Sequence, residues 1–320
     1  MKTDKSNMLC ILSILEEYSD ENHILTMKEI REKMRVLYDR DIDRRTVTGA
    51  IHALMDFDYE ISDYDDNKKG YYIENRKFSA AEIRLLIDAV YSCAYISQQQ
   101  TQEVLEKLRS FLTSYDRKKY SYTNIISAER KSPNAEVFLN IEILDEAISA
   151  GRMVSFTYMD YDYDKKLKPR REKKYTVNPY MMICEDAHYY LALIYAGQTE
   201  PSFYRIDMMK NIEILDAPLE ISKREAKLDT LKNVVYAHTG KPERITMRCD
   251  KLVLRYVIEE FGKDTRITKL EDGSFEASFV TAPEGLIYWA LQYMQHVEVL
   301  EPQHVRDKVV EAIKNNRYGV

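Results

Sequence analysis

The spacing of apolar residues changes along this 320-residue chain, and that change limits the folds it can adopt. Over the first hundred residues apolar side chains recur every three or four positions, as at Met8, Ile11 and Leu15, which is the period of one helix face. From Val154 onward short runs alternate at every second residue, which is the period of a half-buried strand. At roughly 100–200 residues per domain, the length implies two or three domains. The pattern therefore predicts an α+β multidomain protein.

Composition and cysteine spacing argue against several classes of protein. Hydrophobic residues make up 45% and charged residues 31% of the chain, a balance that supports a packed core rather than disorder. No run of about 18 apolar residues is present, so we expect no membrane-spanning helix and no membrane partner. The segment Met1-Lys2-Thr3-Asp4 opens no apolar signal, which predicts a cytoplasmic protein. The four cysteines form no CxxC pair, so we expect neither a disulfide scaffold nor a metal site.

Three short helices are predicted in the N-terminal segment, residues 1–78. Thr26 and Glu29 form a capping box at the start of the second helix, because each side chain can satisfy an orphan backbone N–H. Asp43 is placed to cap the third helix. The face of the third helix that should be buried consists of Val47, Ile51, Leu54 and Met55.

The opposite face of the third helix is small and polar, with Arg45, Gly49, His52 and Ala53 at its surface. A recognition helix needs such a face, because its N-terminal half approaches base edges in the major groove. Two tyrosine-rich runs around a polar turn then predict a hairpin, and this order of elements is that of a winged helix-turn-helix. The expected DNA contacts are Arg44, Arg45, Thr46, Thr48, Gly49, His52, Lys68, Lys69 and Tyr71.

The charge of this segment leaves a second interpretation open. Residues 1–78 hold thirteen Lys and Arg against seventeen Asp and Glu, whereas many DNA-binding modules are basic because phosphate neutralisation supplies much of their affinity. An acidic helical unit can instead be a protein-interaction module. Dimerisation would double the DNA contacts and offset the weak charge.

Residues 79–138 are predicted to form a helical connector and a linker. Ser79 and Glu82 form another capping box, which opens a helix. A second helix is expected over residues 101–113, and the polar stretch 114–133 is typical of a linker. The connector is either a dimer interface or a support for the hairpin. The apolar side assigned to its first helix consists of Leu85, Leu86, Ala89, Val90 and Cys93.

Residues 139–217 have the pattern of a small bent barrel. A helix stripe ends at Gly151, the residue type that favours a left-handed helix end. Strand-like runs follow at residues 154–158, 175–183, 187–194 and 202–206. A helix followed by closely spaced short strands favours a closed or strongly curved sheet.

Four ordered motifs in this segment resemble the WYL domain. His188-Tyr189-Tyr190-Leu191-Ala192-Leu193 resembles the motif that names the family, with Tyr189 in place of the tryptophan. The stretches 147–158, 177–180 and 204–209 resemble the opening helix and strand, the Val-x-Pro segment and the Phe-Arg-Leu-Asp-Arg-Ile segment. Met208 stands where the last of these has its second arginine. The resemblance implies a bacterial transcriptional regulator with a winged helix-turn-helix, an Sm-like β-barrel and a C-terminal WCX extension.

In that family the WYL domain is a sensor of nucleic-acid-like ligands, single-stranded oligonucleotides or nucleotides. Such a ligand needs cations, hydrogen-bond donors and aromatic faces, and the basic window 165–174 could attract it. The residues expected to bind it are Ser155, Tyr158, Lys173, Lys174, Tyr189, Tyr190 and Arg205.

Each of these assignments has a structural alternative. Tyrosines on strands are often half-buried sheet residues, and a basic loop is often a solvated tip. Strict alternation places Ser155 and Tyr158 on opposite faces of a flat strand unless a bulge or bend intervenes. Arg205 lies two positions before Asp207 and could form only an internal salt bridge with it.

Residues 218–320 follow the order strand, helix, strand, strand, helix, strand, which predicts a ferredoxin-like unit resembling the WCX extension. Asp272-Gly273 marks the hairpin turn. Trp289 shares its spacing with Leu286, Ala290 and Tyr293, so we expect it in the core.

The sequence contains no nucleophile elbow, phosphate loop, dinucleotide fingerprint or HExxH motif, so we predict no enzyme, no catalytic residue and no cofactor. The leading hypothesis is a homodimeric regulator that binds double-stranded operator DNA and responds to a nucleic-acid-like effector. The alternative is a non-transcriptional module in which the barrel binds single-stranded nucleic acid and the N-terminal segment docks a protein.

Overall fold

Helices and antiparallel strands both occur throughout the computed structural model, as an α+β protein requires. The chain divides into two compact units, Met1–Ala135 and Glu136–Val320. The residues whose structure is described are 4–119, 131–185, 188–195, 197–198, 201–220 and 242–317.

The first three helices of unit 1 pack around one core in which Leu15, Met34 and Ile51 are buried. The capping box is present at the second helix: the Glu29 backbone N–H donates to the Thr26 hydroxyl, and the Thr26 N–H donates to the Glu29 carboxylate over 2.8 Å. This helical region fits a helix-turn-helix. The helices of unit 1 are α1 (Asp4–Tyr18), α2 (Met27–Tyr38), α3 (Arg44–Asp56), α4 (Tyr64–Asn67), α5 (Ala80–Ser92), α6 (Gln98–Arg109) and α7 (Ser114–Lys119).

The hairpin after α3 is shorter than the sequence indicated. Its strands, β1 (Ile61–Ser62) and β2 (Tyr72–Ile73), pair antiparallel, and the connection contains the helical turn α4 rather than a simple loop. Leu25 pairs with Tyr71 beside them. A Cβ on Gly70 would lie 2.2 Å from the Leu25 carbonyl oxygen, so only glycine allows this close approach of two backbones.

The connector differs from its prediction in two places. Helix α5 buries Ile83 and Ile87 against α6, whereas Leu85, Leu86 and Ala89 of the predicted apolar side are exposed. The start of the predicted linker is helix α7, in which Tyr115 stacks on His23 with ring centroids 3.6 Å apart. Residues 120–130 of the predicted linker lie outside the described part of the chain.

A helix and a curled antiparallel sheet open unit 2. Helix α8 (Val137–Ala150) ends at Gly151, whose φ of 63° is the left-handed conformation expected at a helix end. The sheet order is β4-β3-β5-β6-β7, and β8 pairs with β3, which curls the sheet into a half-barrel. Sequence reasoning missed β8. The strands are β3 (Arg152–Tyr161), β4 (Leu167–Pro169), β5 (Tyr175–Glu185), β6 (His188–Tyr195), β7 (Ser202–Arg205) and β8 (Met209–Pro218).

The C-terminal part of unit 2 has the predicted element order, and its sheet runs β10-β11-β9-β12. Gly273 has a φ of 85° at the hairpin turn. Trp289 is buried in the core, as predicted, with its ring 5.0 Å from that of Phe261. The elements are β9 (Glu243–Cys249), α9 (Leu254–Phe261), β10 (Arg266–Lys269), β11 (Phe275–Thr281), α10 (Pro283–Gln292), β12 (Val297–Glu301) and α11 (Gln303–Lys314).

Candidate nucleic-acid interface

Helix α3 separates a buried face from an exposed one as the sequence predicted. The Asp43 carboxylate caps the helix by accepting the Thr46 backbone N–H over 2.7 Å. That hydrogen bond lowers the pKa of Asp43 below its ordinary value. Val47, Ile51 and Leu54 are buried. The residues exposed on the other side are Arg44, Arg45, Gly49 and His52.

Two arginines outside α3 hold the turn that precedes it. Arg31 Nε donates to the Ile42 carbonyl over 2.6 Å, and Arg40 Nη1 donates to Ser6 Oγ and Asn7 Oδ1, also over 2.6 Å. These two guanidinium groups are therefore engaged in hydrogen bonds that help to position α3. Sequence reasoning missed both, because their partners lie 11 and 33–34 residues away along the chain.

Tyr71, Thr48 and Arg44 come together although they were predicted separately. Arg44 and Thr48 both lie near enough to the Tyr71 phenol to act on its pKa, which each of them lowers. Partial burial is the largest effect on Tyr71 and raises its pKa. The phenol therefore stays neutral and can donate a hydrogen bond beside the exposed side of α3.

The tip of the hairpin carries carboxylates close to the two lysines that were predicted to contact DNA. Lys68 has a φ of 59°, and its Nζ donates to the Asp65 backbone carbonyl over 2.6 Å, with the Asp65 carboxylate 3.8 Å away. Asp63 caps α4 by accepting the backbone N–H groups of Asp65 and Asp66. Lys69 is exposed. Three carboxylates thus lie within a few residues of the two cations.

Tyr158, Tyr190 and Arg205 lie close together in the WYL-like segment. The Tyr158 ring is buried edge-on to Tyr204, with centroids 4.7 Å apart, and the charge of Arg205 acts on its phenol. Burial raises the pKa of Tyr158 to about 12. Tyr190 stands opposite Arg205 in the β6–β7 pairing. The neutral phenol of Tyr158 therefore belongs mainly to the core.

Arg205 forms the internal salt bridge that the sequence left as an alternative. Its Nε and Nη2 donate to the two carboxylate oxygens of Asp207 over 3.1 and 2.8 Å. The Asp207 side chain is fully buried, whereas the Arg205 side chain remains 31% exposed. Such a fork fixes the plane of the guanidinium group and leaves its other edge toward solvent.

Ser155 and Lys174 meet through Glu213, where β3 pairs with β8. Ser155 Oγ donates to Glu213 Oε2 over 3.3 Å, and Lys174 Nζ donates to Glu213 Oε1 over 2.8 Å. The hydrogen bond from Lys174 lowers the pKa of Glu213. The β3–β8 register shifts between Ser155 and Thr157, yet Ser155 stays on the sheet face away from Tyr158. Tyr190 and Arg205 lie on that same outer face. The predicted ligand residues are therefore split between two faces.

The remaining predicted residues are dispersed. Tyr189 packs partly against the barrel core, on the strand face opposite Tyr190. Lys173 is exposed, and its carbonyl accepts from Arg171. Sequence reasoning missed Arg170 and Arg171 as aromatic partners. Their guanidinium carbons lie 4.7 Å and 3.5 Å from the ring centroids of Tyr158 and Tyr175.

Carboxylates neutralise much of the basic window. Arg170 donates to Asp160 with Nε and Nη2 over 3.1 and 3.0 Å, and Lys168 forms an ion pair with Asp162. Both pairs join β3 or its following loop to the basic segment. A polyanion approaching this loop would have to compete with these carboxylates.

Within the described residues, no group of three His, Cys, Asp or Glu side chains is placed to hold a metal ion. No helix of that part of the chain is both long and apolar enough to cross a membrane.

Two family models match this chain, the WYL domain over residues 140–214 and the WCX domain over residues 241–315. Over 175 residues the chain is 27% identical to the "Uncharacterized HTH-type transcriptional regulator YobV" of Bacillus subtilis (strain 168). The match covers 54% of this chain and 53% of that relative, about half the length of each.

Two solved structures resemble the chain weakly. Proteasome accessory factor B/C of Arthrobacter aurescens is 14% identical, with 98% of this chain and 48% of that chain covered and a TM-score of 0.28. A CRISPR Cas-related protein is 13% identical, with coverages of 96% and 83% and a TM-score of 0.37.

Proposed function

From a chain that carries a WYL domain and a WCX domain, we propose an effector-responsive, DNA-binding transcriptional regulator. Residues 1–78 act as a winged helix-turn-helix and residues 79–138 as a connector between the DNA reader and the sensor. Residues 139–217 are an Sm-like barrel that senses a nucleic-acid-like ligand, and residues 218–320 are a ferredoxin-like WCX extension. Two copies bind a double-stranded operator, and the activity needs neither a catalytic residue nor a cofactor.

The outer face of α3 is the observation that carries this proposal. Asp43 fixes the start of the helix, the core holds its inner face, and Arg45, Gly49 and His52 project outward. Gly49 has no heavy atom within 4 Å of its missing Cβ, so the helix can lie close to a groove at this point. The word "HTH-type" in the name of the Bacillus subtilis relative supports the same assignment.

The sensing surface that we propose is centred on Arg205 and Tyr190. The Asp207 carboxylate orients the Arg205 guanidinium by accepting two hydrogen bonds from it. The exposed edge of the guanidinium can bind a phosphate bidentately. Tyr190, across the β6–β7 pair, supplies an aromatic face for a base. The ligand must bind one state of the dimer more tightly than the other, because equal affinity shifts no equilibrium.

Selection of fragmented genomic DNA on the purified protein tests the DNA-binding half of the proposal. We expect one palindromic site to be enriched by the full chain and lost with Arg45→Ala. The retained fragments are then measured at two salt concentrations, because bulk phosphate binding weakens steeply with salt whereas base discrimination persists. A selection that enriches no sequence, with or without short oligonucleotides present, would contradict the operator-binding proposal.

The acidic hairpin tip favours one alternative function. Asp63, Asp65 and Asp66 lie within a few residues of Lys68 and Lys69, and their negative charge repels a phosphate backbone. In that alternative unit 1 docks a protein and the barrel binds single-stranded nucleic acid. Fluorescently labelled single strands then bind at the barrel, and Arg205→Ala weakens that binding. No duplex sequence is selected.

A further inference from the structure

The side of α5 that faces away from α6 is apolar although it is exposed. Ile83 and Ile87 are buried on the inner side of the helix. On the outer side Leu85 is 70% exposed, and Ala81 and Ala89 are exposed with it. An exposed leucine alone needs no explanation, but an apolar strip opposite the packed face does.

The strip repeats symmetrically about Leu85. Ala81 lies four residues before it and Ala89 four residues after it, so at 100° per residue all three fall within 80° on one face. Arg84 and Asp88 lie along one edge of the strip, where Arg84 Nε donates to Asp88 over 3.1 Å. Small residues on both sides of a central leucine let a second helix approach closely at that point.

We propose that α5 of a second copy of this chain packs antiparallel on this strip, with the two-fold axis passing at Leu85. Reversing the helix places Ala81 opposite the partner subunit's Ala89, and Leu85 opposite the partner subunit's Leu85. The reversal also brings Arg84 near the partner subunit's Asp88, so the edge charges are complementary. An isologous contact requires such self-complementarity, whereas an unrelated partner would not require the strip to read the same in both directions.

This inference rests on the proposed function, because a palindromic operator calls for a two-fold dimer. Antiparallel packing also opposes the dipoles of the two helices, which is favourable. In this arrangement the contact between the two α5 helices relates the two DNA-binding segments by a two-fold axis.

Site-directed cross-linking of the full chain tests the position of the axis. The four native cysteines are replaced, Cys249 by alanine because it is buried and the other three by serine. Leu85→Cys is then compared with Val36→Cys on α2, which is also 70% exposed. We expect mild oxidation to shift Leu85→Cys from the monomer band to the dimer band and to leave Val36→Cys as monomer. Equal cross-linking of the two variants overturns the proposal.

The orientation of the two helices is tested by mixing variants. In the antiparallel pair, position 81 of one helix is level with position 89 of the other. The two copies of position 81 are then eight residues, about 12 Å, apart along the helix axis, too far for a disulfide. We expect a mixture of Ala81→Cys and Ala89→Cys to form the mixed dimer and each variant alone to cross-link little. Cross-linking of Ala81→Cys with itself would mean parallel packing and would contradict the proposal.

These readouts contain no DNA, so they separate this inference from the proposed function. A cross-linked Leu85→Cys dimer that selects no operator keeps the α5 contact and contradicts the regulator. A protein that selects a palindromic operator but cross-links no better at position 85 than at position 36 keeps the regulator and rejects α5 as the contact.

Discussion

The predicted DNA-contact face and the predicted ligand face differ in how their side chains are already engaged. On α3, Arg45 and His52 project into solvent from a helix whose other face is buried. In the half-barrel, Tyr158 is part of the core, Arg205 grips Asp207, and Lys174 is paired with Glu213. A single helix determines both of its own faces, whereas a curled sheet brings distant residues together and uses the same polar side chains for its own structure.

Similar substitutions on α3 and in the half-barrel should therefore have different consequences. A residue that only contacts DNA can be removed without loss of stability, whereas a residue that is both structural and sensory cannot. Substitutions of Tyr158, Arg45 and Glu213 test this difference, and Thr26→Ala tests a helix cap that belongs to neither face.

Truncation of Tyr158 should have the largest effect. We expect Tyr158→Ala to lower the free energy of unfolding by about 3–5 kcal/mol, because it empties a buried aromatic position. Tyr158→Phe keeps the ring and its packing, so it should cost about 1 kcal/mol or less. Urea denaturation followed by circular dichroism measures both. If Tyr158→Phe abolishes oligonucleotide binding while keeping stability, the phenol is a ligand contact and the comparison fails.

Removal of Arg45 should affect DNA binding and leave stability unchanged. We expect Arg45→Ala to weaken operator binding by about 1–3 kcal/mol, the worth of a specific base contact. Arg35→Ala, an equally charged change at an exposed site on α2, is the matched control. Fluorescence anisotropy with labelled operator measures the affinities, and thermal denaturation measures the stabilities. Equal losses for the two variants would reduce Arg45 to a general phosphate contact.

Loss of the α2 cap tests a purely local feature. We expect Thr26→Ala to lower the free energy of unfolding by about 1 kcal/mol at pH 7. Hydrogen bonding to Thr26 lowers the pKa of Glu29 in the folded protein. The ionised Glu29 therefore makes its full contribution to the free energy of unfolding at any pH above the usual pKa of about 4.3. That contribution is lost as the pH falls through the lowered value. The difference in free energy of unfolding between Thr26→Ala and the parent protein, measured by denaturation, should therefore shrink at acid pH. A difference that stays constant would mean that the Glu29 carboxylate does not contribute to the cap.

Release of Lys174 should have the smallest effect. Glu213→Gln removes the charge that pairs with Lys174, so we expect oligonucleotide affinity to rise about two- to fivefold, the scale of an exposed ion pair. Asp216→Asn, which removes the partner of Arg152 farther along the same strand, is the control. An unchanged affinity in Glu213→Gln titrations would place the ligand away from this face.

The helix caps and the α3 faces were predictable because their causes lie within a few residues. Thr26 with Glu29 and Asp43 with Thr46 are three positions apart, and a helix fixes the direction of each side chain from its own period. The C-terminal hairpin at Gly273 was predictable for the same reason, since the Asp272-Gly273 pair is itself a turn signal.

Other predictions failed where the cause was not local. The hairpin connection became the helical turn α4, and the apolar side of α5 was misassigned because Ile83 and Ile87, not Leu85 and Leu86, pack against α6. Periodicity shows that a helix has an apolar side but cannot tell which of two apolar sides meets a neighbour.

The sequence by itself determined the capped starts of α2 and α3, the buried and exposed faces of α3, and the order of elements in the C-terminal part of unit 2. Each depends mainly on interactions between residues close in the chain. Only the tertiary structure decided which predicted ligand residues share a face. Glu213 meets Lys174 and Ser155 across 39 and 58 residues, and Arg170 meets Asp160 across the turn from β3 to β4. Such pairings depend on strand register, and register is set by the packing of the whole sheet rather than by any short stretch of the chain.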